Sequence, residues 1–229
     1  MAQERRQLID AHVLLVSAAL TSAILGSYKL YTVFLRPIQH VTHINQRAFR
    51  SQWLHGKVTS VGDGDNFHFF HTPGGIIGGW GWLRQLPRVN QRGLRHKTLH
   101  VRLCGIDAPE RAHFGKPAQP YGDEAMAWLR SFILGRNIRV KPLSLDQYGR
   151  VVGKAMVRGW FGWKDVSQEM LKAGWCIVYE GKSSAEFDGC EELYRMEEAK
   201  SRKAKRGMFQ KKVVQTPGQY KREHKIGEQ

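Results

Sequence analysis

The sequence predicts an α+β domain behind a single apolar span, and three observations predict it. First, short stretches of period-2 alternation, "KVTSV", "NFHFF", "LHVRLCGID", "IRVKPLSL" and "GKAMVRGWF", read as five strands. Second, three helical patterns, "YGDEAMAWLRSFILG", "DVSQEMLKAG" and "CEELYRMEEAKSRKAKRG", each close on a glycine (Gly135, Gly174, Gly207) suited to the position just past a helix end. Third, residues 13–35, "VLLVSAALTSAILGSYKLYTVFL", carry one charge, Lys29, over roughly the 20 residues that cross a bilayer as a helix. Five short strands with helices inserted and appended describe a domain closed into a small five-stranded β-barrel of the OB type.

Residues 1–12 form a flank to the span, which is long for the apolar part of a cleaved signal and is followed by no clear small-residue cleavage site. Lys29 can snorkel, and Tyr28, Tyr31 and Phe34 suit the headgroup region of the same end. Before the span Arg5 and Arg6 are offset by Glu4 and Asp10, whereas Arg36, Arg47, Arg50 and Lys57 follow it. The large domain is therefore expected on the positive-inside face, cytosol or mitochondrial matrix. Residues 36–52 read as a linker holding the domain off the bilayer, residues 53–212 as the domain, and residues 213–229 as a disordered polar tail.

Within the domain, residues 71–98 ("HTPGGIIGGWGWLRQLPRVNQRGLRHKT") are too long for an ordinary hairpin connection. They read as a basic arm that places Trp80 and Trp82 where bases stack, with Arg84, Arg88, Arg92 and Arg95 near phosphates; a loose surface insertion is the plainer alternative. The formal net charge of +16 attracts polyanions, so nucleic acid or an anionic bilayer is the expected partner; no protein partner can be inferred. Three widely spaced cysteines, Cys104, Cys176 and Cys190, suggest neither a disulfide framework nor a zinc site. The histidine pairs His40/His43 and His68/His71 lack further ligands at compatible spacing and read as surface or packing residues.

Three segments carry the chemistry. "VGDGDNF" (61–67) is a hairpin turn by its Asp-Gly step, with glycine supplying positive φ, and its EF-hand-like opening fails at Phe67 and His68. "VRLCGIDAPE" (101–110) is a strand carrying Arg102 that ends in Asp107 and Glu110, and "DQYGR" (146–150) places Arg150 after a turn. Taken together they are the parts for metal-assisted hydrolysis of a phosphodiester. Asp65 and Asp107 offer oxygen to a hard divalent cation, and the guanidiniums of Arg102 and Arg150 match the oxygens of a phosphate gaining charge. Glu110 is left for proton abstraction.

In order and rough spacing these segments resemble the three signature segments of the staphylococcal nuclease (thermonuclease) family, over approximately residues 53–209. The resemblance implies an OB-type barrel with three helices and calcium-dependent cleavage of DNA or RNA to 3′-phosphate ends. It implies Ca2+ bound by Asp65, Asp107 and the backbone carbonyl of Ala108, the scissile phosphate bound by Arg102 and Arg150, and Glu110 as general base. Asn66 and Ala108 stand where the bacterial enzyme often has threonine, and Gln147 replaces a basic residue. The arm and the apolar span resemble the fungal membrane-anchored branch of that family, which implies a mitochondrial location. The alternative is a membrane-tethered OB-type module that binds nucleic acid without cutting it.

Overall fold

The structure, a computed structural model, describes residues 11–94, 96–112, 117–181, 186–210 and 218–220. It divides into two units, Met1–Pro37 and Ile38–Gln229. In the first, helix α1 (Ala11–Leu30) continues as a π-helical turn over Tyr31–Leu35. The combined stretch Ala11–Leu35 is long and apolar enough to cross a membrane, and none of its hydropathic window is buried by protein. Two of its hydroxyls bond to the helix's own carbonyls, Thr21 Oγ1 to Ser17 O (2.8 Å) and Thr32 Oγ1 to Lys29 O (3.0 Å), as suits a hydrocarbon surrounding.

The second unit is built on the predicted barrel. Strands β1 (Leu54–Val61) and β2 (Asn66–His71) form an antiparallel hairpin, and β2 pairs with β3 (Leu99–Leu103). On its other edge β1 pairs with β5 (Asn137–Leu145), β5 with β6 (Val151–Gly159), and β6 closes the barrel by running parallel to β3. A short strand β7 (Gly162–Asp165) extends β6, and β4 (Ile106–Asp107) pairs with β8 (Ile177–Val178) as a separate ladder. Alternating residues Val58, Phe67, Phe69, Val101, Leu103, Val140 and Ala155 fill the interior. Period-2 patterning in the sequence thus becomes one buried face per strand.

Helix α2 (Gly122–Ile133) lays Ala125, Leu129 and Ile133, spaced by four, against that core, and Gly135 follows its end at φ 75°. Helix α3 (Val166–Ala173) is capped by buried Asp165, which accepts from the main-chain N–H of Ser167 (2.9 Å) and Gln168 (3.3 Å) and from Tyr194 Oη (2.7 Å) of α4. Helix α4 (Glu191–Lys203) carries two i,i+4 ion pairs, Glu191–Arg195 and Glu198–Arg202. It ends four residues before Gly207, which instead opens a 3₁₀ turn, Gly207–Gln210. There a Cβ on Gly207 would lie 2.4 Å from Gly174 O, so the closing of α3 and the turn after α4 pack backbone to backbone.

Three expectations need revision. The stretch 36–52, read as a linker, contributes Ile44 and Ala48 to the core cluster, and Ile38 N donates to His71 Nδ1 (2.9 Å); from Ile38 the chain is part of the domain. The arm 71–98 is tied to β1 rather than loose, through Thr72 N to His55 O (2.7 Å), Lys57 Nζ to Pro87 O (3.0 Å) and Asn90 N to Thr59 O (2.8 Å). Within the tail, Tyr220 is buried and donates its hydroxyl to Pro117 O, so that point is docked; tail residues 213–217 and 221–229 and flank residues 1–10 lie outside the described residues.

Candidate functional site

The β2–β3 register sets Asn66 opposite Arg102, and Leu103 N donates to Asp65 O at 2.9 Å. Asp65 is thereby fixed beside the Arg102 side chain at the mouth of the β1–β2 hairpin. Arg102 Nε donates to Asp65 Oδ2 (3.1 Å) and Arg102 Nη2 to Asp107 Oδ1 (3.0 Å), so one guanidinium spans two buried carboxylates. Burial alone would lower the Arg102 pKa, but Asp65, Asp107, Tyr179 and Asp146 together raise it. Asp107 is held through β4, whose residue pairing sets it against Ile177 of β8, and Val178 N in turn donates to Glu198 Oε2 of α4 (2.7 Å).

The turn between β1 and β2 uses its glycine differently from the sequence expectation. Gly64 has no positive φ; a Cβ there would stand 2.7 Å from the Ala108 Cβ, so its value is close approach to the loop carrying Asp107 and Ala108. That contact brings the turn bearing Asp63 and Asp65 against the strand end bearing Asp107. Asp63, to which sequence reasoning gave no role, is pushed up to about 6 by burial first and then by the charges of Asp65 and Glu110. Carboxylates therefore crowd this corner more than the sequence reading supposed.

Glu110 is half-buried, and its backbone is clamped from both sides by Gln119: Glu110 N donates to Gln119 Oε1 (3.1 Å) and Gln119 N to Glu110 O (2.8 Å). Gly122, at the start of α2, lies so close to Glu110 O that a Cβ would approach to 2.7 Å. Arg150 immediately precedes the β6 residue paired with Val101, which places it beside β3 and next to the Arg102 row. Asp146 gathers the "DQYGR" turn, accepting from the main-chain N–H of Tyr148 and Arg150 (2.9 Å each) and from Arg150 Nε (2.6 Å). Those bonds from Arg150 and Tyr148 overcome the burial that would raise it and hold the Asp146 carboxyl below its ordinary value.

Four residues outside the predicted set belong to this neighbourhood. Tyr179 has its ring 5.2 Å from the Arg102 guanidinium carbon, and exposed Tyr148 lies 5.4 Å from that of Arg150. Gln119 and Asp146 position Glu110 and Arg150 as described. Asp146 was legible as the first residue of its turn; Tyr179 and Gln119 have no local signature, because only tertiary packing brings them in.

Of the arm residues predicted to contact nucleic acid, Trp80 does not fit a stacking platform. It is buried, edge-on to Phe70 at 5.4 Å, donates Nε1 to Pro73 O (3.1 Å) and has Arg84 laid over its ring at 3.9 Å. Trp80 and Arg84 are thus the arm's own internal packing. Trp82 is 71 % exposed, though its Nε1 is bonded to Ile76 O (2.9 Å), and Arg88 is exposed; Arg95 lies outside the described residues.

An OB-type barrel that gathers two acidic strand ends, a bridging arginine and a basic turn onto one edge is the architecture of a nuclease of the staphylococcal kind. A family profile described as staphylococcal nuclease homologue matches residues 100–211, from β3 to just past the final 3₁₀ turn. The chain is 53 % identical over 228 residues to a protein of Komagataella phaffii named probable endonuclease LCL3, covering 98 % of this chain and all of that one. Relatives of the same name in Yarrowia lipolytica (55 % identical, 93 % of this chain, 95 % of that one) and Candida glabrata (45 %, 96 % and 95 %) are similar along nearly their whole length. The chain belongs to the staphylococcal nuclease homologue family.

Proposed function

We propose that this protein is a membrane-anchored, calcium-dependent endonuclease that hydrolyses DNA or RNA with little sequence specificity and leaves 3′-phosphate ends. The observation that carries the reading is the Arg102 guanidinium spanning Asp65 and Asp107, in a chain whose relatives bear the name probable endonuclease. The donor set suits a hard cation: two carboxylates with the Ala108 carbonyl beside them, on loops packed so closely that a Cβ on Gly64 would have no room. Among the described residues no group of three or more His, Cys, Asp or Glu side chains is arranged to hold a metal, so two carboxylates and a carbonyl would leave the other positions to water and substrate. A bound calcium ion would supply charge neutralisation at a non-bridging phosphate oxygen and lower the pKa of a water.

The chain's own residues do the rest. Arg102 and Arg150 orient the scissile phosphate and meet the charge that grows on its oxygens. Glu110 takes the proton of the attacking water; the new P–O bond forms as the bond to the 5′ oxygen breaks, leaving the phosphate on the 3′ side. Gln119 fixes the Glu110 backbone from both sides, which limits where its carboxylate can reach. Exposed Trp82 and Arg88 offer a stacking face and a phosphate contact beyond the centre. The helix Ala11–Leu35 serves as the anchor, and the resemblance to the fungal branch of the family favours a mitochondrial membrane.

The reading is tested with the full chain in detergent micelles on supercoiled plasmid and single-stranded DNA, with calcium, magnesium or chelator, beside Asp107→Ala. Calcium-dependent cutting, reduced at least 100-fold in the variant, is expected. Binding that weakens with salt, without any cutting, would replace the enzyme by a nucleic-acid-binding barrel.

A further inference from the structure

A second polar surface adjoins the centre and, apart from Arg150 at its edge, has no part in the mechanism above. Cross-strand pairing sets Ser60 of β1 opposite His68 of β2, and His68 opposite His100 of β3, while Arg150 stands just ahead of the β6 residue paired with Val101. Ser60, His68, His100 and Arg150 therefore succeed one another across the sheet. Over this row the arm folds back through Asn90, pinned by its N–H to Thr59 O, and borders an open cleft of about 490 Å³ lined also by Gln91 and Thr98. That volume is within the range of small-ligand sites.

The lining points to one class of ligand. His68 and His100 are stacked on one another, ring centroids 4.7 Å apart and planes within 15°, a pair whose outer face a further flat ring can extend. Around it stand hydroxyl, amide and imidazole groups that donate and accept, and among the described residues no carboxylate lines the cleft. Burial, with the charges of His68 and Arg150, pushes His100 down to about 4, so its imidazole is neutral at pH 7. A polar-edged cleft beside a stacked aromatic pair suits a nucleobase, which stacks on aromatic rings and reads hydrogen bonds at its rim.

Its place fits as well. His100 Nε2 bonds to Asn66 Oδ1 (3.1 Å) and Asn66 Nδ2 to Asp65 Oδ1 (3.2 Å), a chain that runs from the cleft to the candidate metal carboxylate. The His68–His100 pair lies two residues along both strands from the Asn66–Arg102 pair, about 7 Å away and on the same face, a separation of the order of one nucleotide. We propose that this cleft is a nucleobase subsite, which takes an unpaired base adjoining the phosphate held at Arg102 and Arg150 and stacks it on the His68–His100 pair. The proposal rests on the nuclease reading and narrows it to single-stranded or locally opened substrate, since a base must leave its duplex stack to enter.

The test uses the full chain in detergent micelles with chelator, so that binding is read without cleavage. Two probes of equal length and charge are compared by fluorescence anisotropy: an oligothymidylate and its abasic deoxyribose-phosphate counterpart. The base-bearing strand is expected to bind about 10-fold tighter, and His68→Ala to bring the ratio close to one. In the unaltered protein, an oligothymidylate carrying one 4-thiothymidine is expected to cross-link on irradiation within residues 60–68 or 90–100, a readout independent of whether the variant folds. A ratio unchanged by His68→Ala, or cross-links confined to other segments, would overturn the subsite and leave the nuclease reading intact. Failure of both probes to bind, with no cutting when calcium is restored, would overturn the nuclease reading, and the subsite with it.

Discussion

Arg102 is the residue on which the candidate centre turns, because its planar fork meets two carboxylates on two different loops. Lysine keeps the charge and loses the fork, so Arg102→Lys is expected to lower the rate of DNA cleavage by roughly 100-fold while circular dichroism remains native. Glu110→Gln keeps the shape and removes the base; a loss of about 100- to 10,000-fold in kcat with oligonucleotide affinity retained is the expected result, and full activity would remove Glu110 from that role. His71 offers a prediction about stability rather than rate. Burial, and then the charge of His55, press its pKa down to about 4 from the ordinary 6.5, and its Nδ1 must stay unprotonated to accept from Ile38 N. The unfolded chain binds the proton more readily between those values, so stability is full above about pH 6.5 and falls as the pH drops toward 4, by about 3 kcal/mol for this one group. Thermal unfolding of the wild type and His71→Asn across that range checks it: the variant, which keeps an acceptor but cannot titrate, should show the flatter profile.

At the scale of elements, the stretch before β1 shows what packing adds to pattern. Its two 3₁₀ turns, Val41–His43 and Gln46–Ala48, carry no strong periodicity, yet Ile44 and Ala48 reach the core. A fragment beginning at Ile38 is therefore expected to be more stable in urea than one beginning at Ser51, by about 2 kcal/mol for the burial of Ile44 alone. The five barrel strands and three domain helices were legible because each buries one face, and alternation or a spacing of four records that directly. β4 and β8 were not legible as a ladder: each is two residues long, and their partnership is decided by α4, through Glu198, rather than by their own sequence. The candidate site divides along the same line. Asp65, Arg102, Asp107 and Arg150 sit at strand ends and turns, where local sequence declares them, whereas Tyr179 arrives from an element distant in the chain and Gln119 only by a turn of the backbone back onto Glu110. Trp80 was misread because an aromatic residue in a basic arm looks the same whether it faces solvent or, as here, forms the arm's own small core.

For the molecule as a whole, the net charge of +16 sets how strongly any nucleic acid is drawn to it. If four phosphates are neutralised on a single strand, raising salt from 50 to 200 mM should weaken binding by about 50-fold, and titrating affinity against salt concentration measures the number directly. The topology has a consequence in time. β3, which carries Arg102, finds its parallel neighbour only in β6, and Asp107 finds its partner only in β8, about 70 residues later in the chain. At a synthesis rate of roughly 5–20 residues per second, a growing chain holds both carboxylates and the arginine for several seconds before the segments that align them exist. If the proposed activity is right, the nascent chain has no complete cutting centre until its late strands have been made.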